Sequence, residues 1–230
     1  MNNLILKIKR RETPFYAKLY DIIQGARKGG IPSIKFIHKP LYIVSRILIG
    51  LRWAAQEKLW AIPIFKTLCR KYGKNLSLPN GIPWITSNHL VIDIGDDVTI
   101  MKSTFLSGHT YDEPVLKIGN KTTIGYNTMI SVGERVEIGN NVMIAHNCFI
   151  ADNDGHPIDP KRRLNHEAVK PEEIKPVKIG NNVWIGANCS ILKGAEIGDN
   201  VVVSPNSVIA STAIPDKIFM GNPARAVKAI

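Results

Sequence analysis

Residues 179–210 read IGNNVWIGANCSILKGAEIGDNVVVSPNSVIA, and this stretch is written in sixes. Ile179-Gly180, Ile185-Gly186, Ile191, Ile197-Gly198, Val203-Ser204 and Ile209-Ala210 each begin a hexad. Working outward, the same spacing appears at Ile138-Gly139, Ile144-Ala145 and Ile150-Ala151, and before them at Ile118-Gly119, Ile124-Gly125 and Ile130-Ser131. Ile94-Gly95 and Ile100 start a still earlier turn. A fixed short period is the mark of a repeat architecture. Four positions after each aliphatic residue stands a small or β-branched one: Val142, Cys148, Val183, Cys189, Ala195, Val201 and Ser207.

This doublet has a physical reading. Each hexad makes one short strand and one corner of a triangular coil, the aliphatic side chain fills the prism, and the second inward position has less room. Gly and Asn after the aliphatic residue suit corners that need φ > 0 or close backbone approach. Three hexads close a coil of about 18 residues and stack it as parallel strands on the one below. A β-sandwich of short strands would not hold a period of six over a dozen hexads. The expected fold is therefore mainly β, a parallel β-helix of hexapeptide repeats.

The repeat is interrupted in three places. Ile130 to Ile138 spans eight residues instead of six, which predicts a widened corner. Ile150 to Ile179 spans 29, so about 153–176 should leave the coil as a protruding loop. Leu106 to Val115 forms a third excursion. Loops on a rigid scaffold are where function concentrates.

The 230-residue chain carries a formal charge of +11, but the excess lies at one end. Residues 1–80 hold sixteen Lys and Arg against three acids, and the remainder fourteen against sixteen. Nucleic acid is a poor partner for that charge, because no reading motif interleaves it. Cys69, Cys148 and Cys189 form neither a disulfide framework nor a zinc knuckle, which fits a reducing cytoplasm. The first residues lack the long apolar run and cleavage site of a secretory signal. The apolar stretch Leu41 to Leu68 is broken by Arg46, Arg52, Glu57 and Lys58 before it reaches the length of a membrane span.

The long loop opens Ala-Asp-Asn-Asp-Gly-His-Pro-Ile-Asp-Pro-Lys-Arg-Arg at 151–163, the repeat resumes as IGNNVWIGAN at 179–188, and Met-Gly-Asn-Pro-Ala-Arg closes at 220–225. Over about residues 90–230 these segments resemble the hexapeptide-repeat O-acetyltransferases: the galactoside and maltose acetyltransferases, the xenobiotic acetyltransferases and polysaccharide-modifying relatives. The resemblance implies a left-handed winding, an exception to the right-handed crossover preference. It also implies a homotrimer, with acetyl-CoA as co-substrate; no metal is expected, because His109, His146, His156 and His166 show no close pair of the kind a metal site would need. His156 takes the place of the family's general base. An unperturbed imidazole titrates near pH 6.5 and can accept a hydroxyl proton as oxygen attacks a thioester.

The acceptor-binding asparagine of that family corresponds to Asn127 by its spacing to Ile138, and Asp154 orients His156, contacts the acceptor or is a solvated loop acid. The donor residues correspond to Trp184, Ala187 and Pro205 along the pantetheine arm, with Arg225 and Lys228 near the nucleotide. One departure concerns a Thr-Lys pair of many relatives. Here the chain reads Ala210-Ser211-Thr212-Ala213, so the phosphate contact shifts to Lys217 or Lys193, or is lost. His146 either lines the same cleft or is solvated, and His109 has no spacing argument behind it. Cys148 and Cys189 occupy inward slots and read as core.

The expected organisation is a basic, mainly helical region over 1–80, the β-helix over 81–214 with its loop, and a C-terminal segment over 215–230. Residues 1–80 suit either helices lying on an anionic membrane surface or helices packed on the trimer. A membrane location favours a sugar hydroxyl of a surface polysaccharide, or of its lipid-linked precursor, as acceptor. N-acetylation of an amino sugar or nucleotide sugar, and a non-catalytic scaffold, are the alternatives. The protein is expected in the cytoplasm, at the inner face of the membrane if residues 1–80 bind it.

Overall fold

The computed structural model describes residues 2–29, 33–108 and 110–230. Gly30, Ile31 and Pro32 lie outside the described residues. The chain divides into two units, Met1–Ile49 and Gly50–Ile230.

The first unit is helical, with α1 (Asn2–Arg10), α2 (Pro14–Lys28) and most of α3 (Lys35–Gln56). Thr13 caps α2 by accepting the Tyr16 N–H at 3.2 Å, and Pro14 supplies a preset φ where no N–H is needed.

In the second unit, a π-helical turn over Glu57–Ala61 leads into α4 (Ile62–Leu68). Ala61 and Phe65 are buried against the first coil, beside Leu76 and Leu78. The Glu57 carboxylate accepts from the Ser77 hydroxyl and the Leu78 N–H, at 2.8 and 2.7 Å. Parallel pairing starts at Lys71 with Asp93 and Ser77 with Thr99, ahead of the first legible hexad.

From there the chain winds through three parallel sheets. One contains β2 (Val91–Ile94), β5 (Val115–Ile118), β8 (Arg135–Ile138), β11 (Val177–Ile179) and β14 (Glu196–Ile197). The second contains β3 (Thr99–Ile100), β6 (Thr123–Ile124), β9 (Met143–Ile144), β12 (Trp184–Ile185) and β15 (Val202–Val203), and ends in the hairpin β17 (Lys217–Gly221) and β18 (Ala224–Ala229). The third contains β1 (Trp84–Ile85), β4 (Thr104–Ser107), β7 (Met129–Val132), β10 (Phe149–Ala151), β13 (Ser190–Ile191) and β16 (Val208–Ile209).

The registers stack like on like. Ile118, Ile138, Ile179 and Ile197 form one inward column, Ile124, Ile144, Ile185 and Val203 a second, and Ile130, Ile150, Ile191 and Ile209 a third. All are buried, so the hexad's aliphatic position fills the prism as expected.

The second inward slot is narrow and also has polar work. Where the second sheet turns into the third, that slot holds Ser103, Thr128, Cys148 and Cys189. These donate to the carbonyls of Gly125, Ala145, Gly186 and Ser204 in the following coil, at 3.2, 3.1, 3.2 and 3.1 Å. A corner carbonyl facing inward needs a donor, and a short hydroxyl or thiol supplies one without crowding the prism. Burial pushes the Cys148 thiol up to about 11 and raises that of Cys189, so neither is a thiolate near neutrality.

Corners carry asparagine for two reasons. Asn127, Asn147, Asn188 and Asn206 have φ between 54° and 60°, the left-handed region that asparagine tolerates. Their amides also link coils: Asn127 donates to Asn147 at 3.0 Å and Asn188 to Asn206 at 3.1 Å. Along another edge, Asn120, Asn140, Asn181 and Asp199 each accept a backbone N–H from the coil before, at 2.7 to 2.9 Å. Glycine is required where coils touch: a Cβ on Gly139 would lie 2.5 Å from the Gly180 carbonyl oxygen.

Candidate active site

The 29-residue interruption leaves the prism after β10 and returns at β11. Its root is a buried carboxylate. Asp152, fully shielded from solvent, accepts the backbone N–H groups of Gly133, Glu134 and Arg135 at 2.5, 2.7 and 2.7 Å. Those three residues form the widened corner between Ile130 and Ile138, so one interruption of the repeat holds the other. The Asp152 carbonyl accepts the Lys175 N–H at 2.9 Å, which pins the returning strand to the departing one.

Asn153 carries this anchor toward the histidine. Its Nδ2 donates to Asp152 Oδ1 at 2.8 Å and to the Ser131 hydroxyl at 3.2 Å, while its Oδ1 accepts the Gly155 N–H at 2.9 Å. Gly155, at φ +75°, makes the turn that a side chain would strain. His156 follows immediately and is exposed.

Beyond His156 the loop is braced by arginines. Asp159 caps the short α5 (Pro160–Leu164) by accepting the Arg162 N–H at 2.8 Å. The Arg162 guanidinium binds Glu173 at 2.9 Å, Glu167 at 3.1 Å and the Ala168 carbonyl at 2.8 Å. Arg163 donates to the carbonyls of Pro157 and Ile158, at 3.0 and 2.8 Å, directly after the histidine. The Lys170 N–H, with Arg162 beside it, holds the Glu173 carboxyl below its ordinary range.

His156 stands on a groove of about 670 Å³. Thr86, Ser107, Ser131 and Asn153 line its coil side, and His166, Glu167 and Val169 of the loop line the other. Thr110 closes the rim by donating to the Val169 carbonyl at 2.5 Å. The lining sets the hydroxyl and amide groups of Thr86, Ser107, Ser131 and Asn153, with the imidazoles of His156 and His166, among apolar Leu106, Val169 and Ile174. Such a surface suits a hydroxylated acceptor, and the imidazole can act as base.

The other expected residues are spread over the prism. Asp154 is exposed, bound to Lys193, and lines a separate depression of about 510 Å³ with Phe149, Lys175 and Ala210. Lys193 also donates to the Glu173 carbonyl at 3.0 Å, so it works as a loop brace. Trp184 projects from β12, 53% exposed. Ala187 and Pro205 occupy the same corner of successive coils, where the Asn206 N–H reaches the Ala187 carbonyl at 2.9 Å. His146 belongs to the same column one coil earlier, its carbonyl accepting the Asn188 N–H at 3.1 Å. Asn127 lies on this edge too and does not line the His156 groove of its own chain. Arg225 and Lys228 are exposed on β18, and Lys217 is half-buried on β17. His109 lies outside the described residues. No group of three or more His, Cys, Asp or Glu among the described residues is placed to hold a metal ion.

Asp152, Asn153, Arg162 and Arg163 lie within the 151–163 segment, but sequence reasoning assigns them no role. The burial of Asp152 and its backbone partners 17 to 19 residues back are visible only in the structure.

Comparisons with known proteins agree with the repeat. The bacterial transferase hexapeptide (six repeats) family model matches residues 176–211. The galactoside O-acetyltransferase of Escherichia coli is 37% identical over 76 residues, covering 33% of this chain and 36% of that protein. This chain spans little more than a third of the length of the curated relatives it matches. Among solved structures, AntD, an N-acyltransferase from Bacillus cereus seen with dTDP and coenzyme A, superposes with a TM-score of 0.58 at 21% identity. It covers 73% of this chain and 88% of its own. A maltose O-acetyltransferase from Clostridium difficile 630 gives a TM-score of 0.50 at 28% identity, covering 73% of each chain. The fold is the left-handed β-helix of hexapeptide-repeat proteins, and the expected resemblance to their acetyltransferases holds.

Proposed function

We propose that this chain is an acyltransferase that moves an acetyl group from acetyl-CoA to a sugar hydroxyl, with His156 as general base. The observation that carries the reading is the placement of His156 on an anchored loop, facing a groove lined by Thr86, Ser107 and Ser131. In the reaction, His156 takes the proton of the acceptor hydroxyl while its oxygen attacks the thioester carbonyl. The tetrahedral intermediate collapses with cleavage of the C–S bond, and the imidazolium returns the proton to the departing thiolate. Transfer is direct, and the raised thiols of Cys148 and Cys189 are not needed.

The donor arm would lie along the edge made by Trp184, Ala187 and Pro205, with Arg225 and Lys228 toward the phosphates. Asn127, on the same edge, would grip the acceptor. His156 is carried by a different edge, because β10 and the third sheet separate it from that corner. A complete site therefore calls for the histidine of one subunit and the donor edge of another, which supports a cyclic homotrimer. The galactoside and maltose specificities of the relatives support a carbohydrate acceptor. The basic first 80 residues favour one assembled at the cytoplasmic face of a membrane, a surface polysaccharide or its lipid-linked precursor.

The test is thiol release from acetyl-CoA with a panel of sugars, glycans and amino sugars, in wild type and His156→Ala. Acceptor-dependent release should fall by about 10²- to 10⁴-fold in the variant. Full activity of His156→Ala would remove the histidine from the mechanism, and no release with any acceptor would remove the acetyl-transfer reading.

A further inference from the structure

We propose that residues 1–49 form a docking surface for an anionic phospholipid bilayer, with α3 lying along the headgroup layer. On a helix, residues three and four apart share a stripe. Phe36, Pro40, Ile43 and Ile47 make one stripe of α3, and Ile37, Leu41, Val44 and Leu48 the next, so two adjoining stripes are wholly apolar. The stripe beside them carries Lys35, Lys39, Tyr42 and Arg46. Every one of these residues is exposed, Phe36 by 80%. Leu4, Ile5, Phe15 and Ile22 of α1 and α2 are exposed as well.

An apolar face of this extent marks an interaction site. A second copy of the chain or a bilayer could cover it, and charge decides between them. Residues 1–49 hold ten Lys and Arg against Glu12 and Asp21, and α3 contains no acid at all. Two such surfaces repel each other, whereas an anionic leaflet attracts both. The arrangement on α3 fits that leaflet in detail. Lys and Arg stems can extend beside the apolar stripes with their charges among the headgroups, and Tyr42 suits the same depth. No described helix is long and apolar enough to cross a membrane, and a helix lying in the interface does not need to be.

The full-length protein would be floated with vesicles of phosphatidylcholine alone and of phosphatidylcholine mixed with phosphatidylglycerol. Binding is read without substrate, so its outcome is independent of acetyl transfer. The protein should bind the anionic vesicles and lose binding as salt is raised. Each neutralised cation should weaken binding roughly fivefold, and the triple variant Lys35→Gln, Lys39→Gln, Arg46→Gln about a hundredfold. Ile43→Asn with Ile47→Asn should also release the protein. Wild-type protein left unbound by both vesicles, or bound equally to both, overturns the proposal. So does an Ile43→Asn, Ile47→Asn variant of smaller mass in solution than wild type, which would assign the face to a second copy.

Discussion

Two aspartates two residues apart in the long loop have opposite roles. Asp152 is buried and answers three backbone N–H groups and an amide, whereas Asp154 is exposed and meets only a lysine. Asp152→Asn preserves shape but turns one acceptor oxygen into a donor, leaving about two buried N–H groups without a partner. The expected cost is about 2–4 kcal/mol, seen as a large fall in melting temperature. Asp154→Asn should cost less than about 1 kcal/mol. Equal shifts in the two variants would show that the loop is not rooted at Asp152. Glu173 gives the loop a pH response. Its carboxyl is held below its ordinary value of 4.5, so its stabilisation is complete above that value and is lost as pH falls through the lower folded one. The Lys170 amide that it accepts, corrected for intrinsic exchange rate, should lose hydrogen-exchange protection as pH falls below 4.5. In Glu173→Gln, protection should already be weaker at neutral pH and show no such step.

Among the elements, each coil is held by an inward aliphatic column and by corners that only a few residues can turn. Ile185, fully buried between Ile144 and Val203, should cost about 2–5 kcal/mol when replaced by Ala, since adjacent coils cannot collapse into the gap. At the corner, Asn188→Ala should cost about 1–2 kcal/mol because φ is 59° there, while Asn188→Gly should cost less. Equal losses for Ala and Gly would mean that the amide bond to Asn206, and not the backbone, holds the corner. The prism was legible in the sequence because its inward and corner requirements recur every six residues. The polar ladder of Ser103, Thr128, Cys148 and Cys189 was not, since size alone accounts for those residues until the inward corner carbonyls are seen. The loop was legible as a gap, and His156 as a resemblance. The anchor at Asp152 was hidden because its partners are backbone groups, which leave no trace in residue identity.

At the scale of the whole molecule, one chain carries the proposed parts of a site on separate edges. His156 leaves the prism after the third sheet, whereas Asn127, Ala187 and Pro205 lie where the second sheet turns into it. The strand β10 of the third sheet lies between them, so one prism presents them on two different edges. A cyclic trimer brings two such edges together, because each subunit offers a different edge to each neighbour. Two inactive variants test this directly. His156→Ala removes the proposed base, and Ala187→Trp places a large side chain on the proposed donor edge from a half-buried position. If the two chains are co-expressed and assemble at random, about a quarter of the sites combine an intact histidine from one chain with an intact donor edge from the other. Acceptor-dependent thiol release should then return to about a quarter of the wild-type level, although each variant alone is inactive. A site contained within one chain would predict no recovery in mixed trimers, since every chain would carry one lesion.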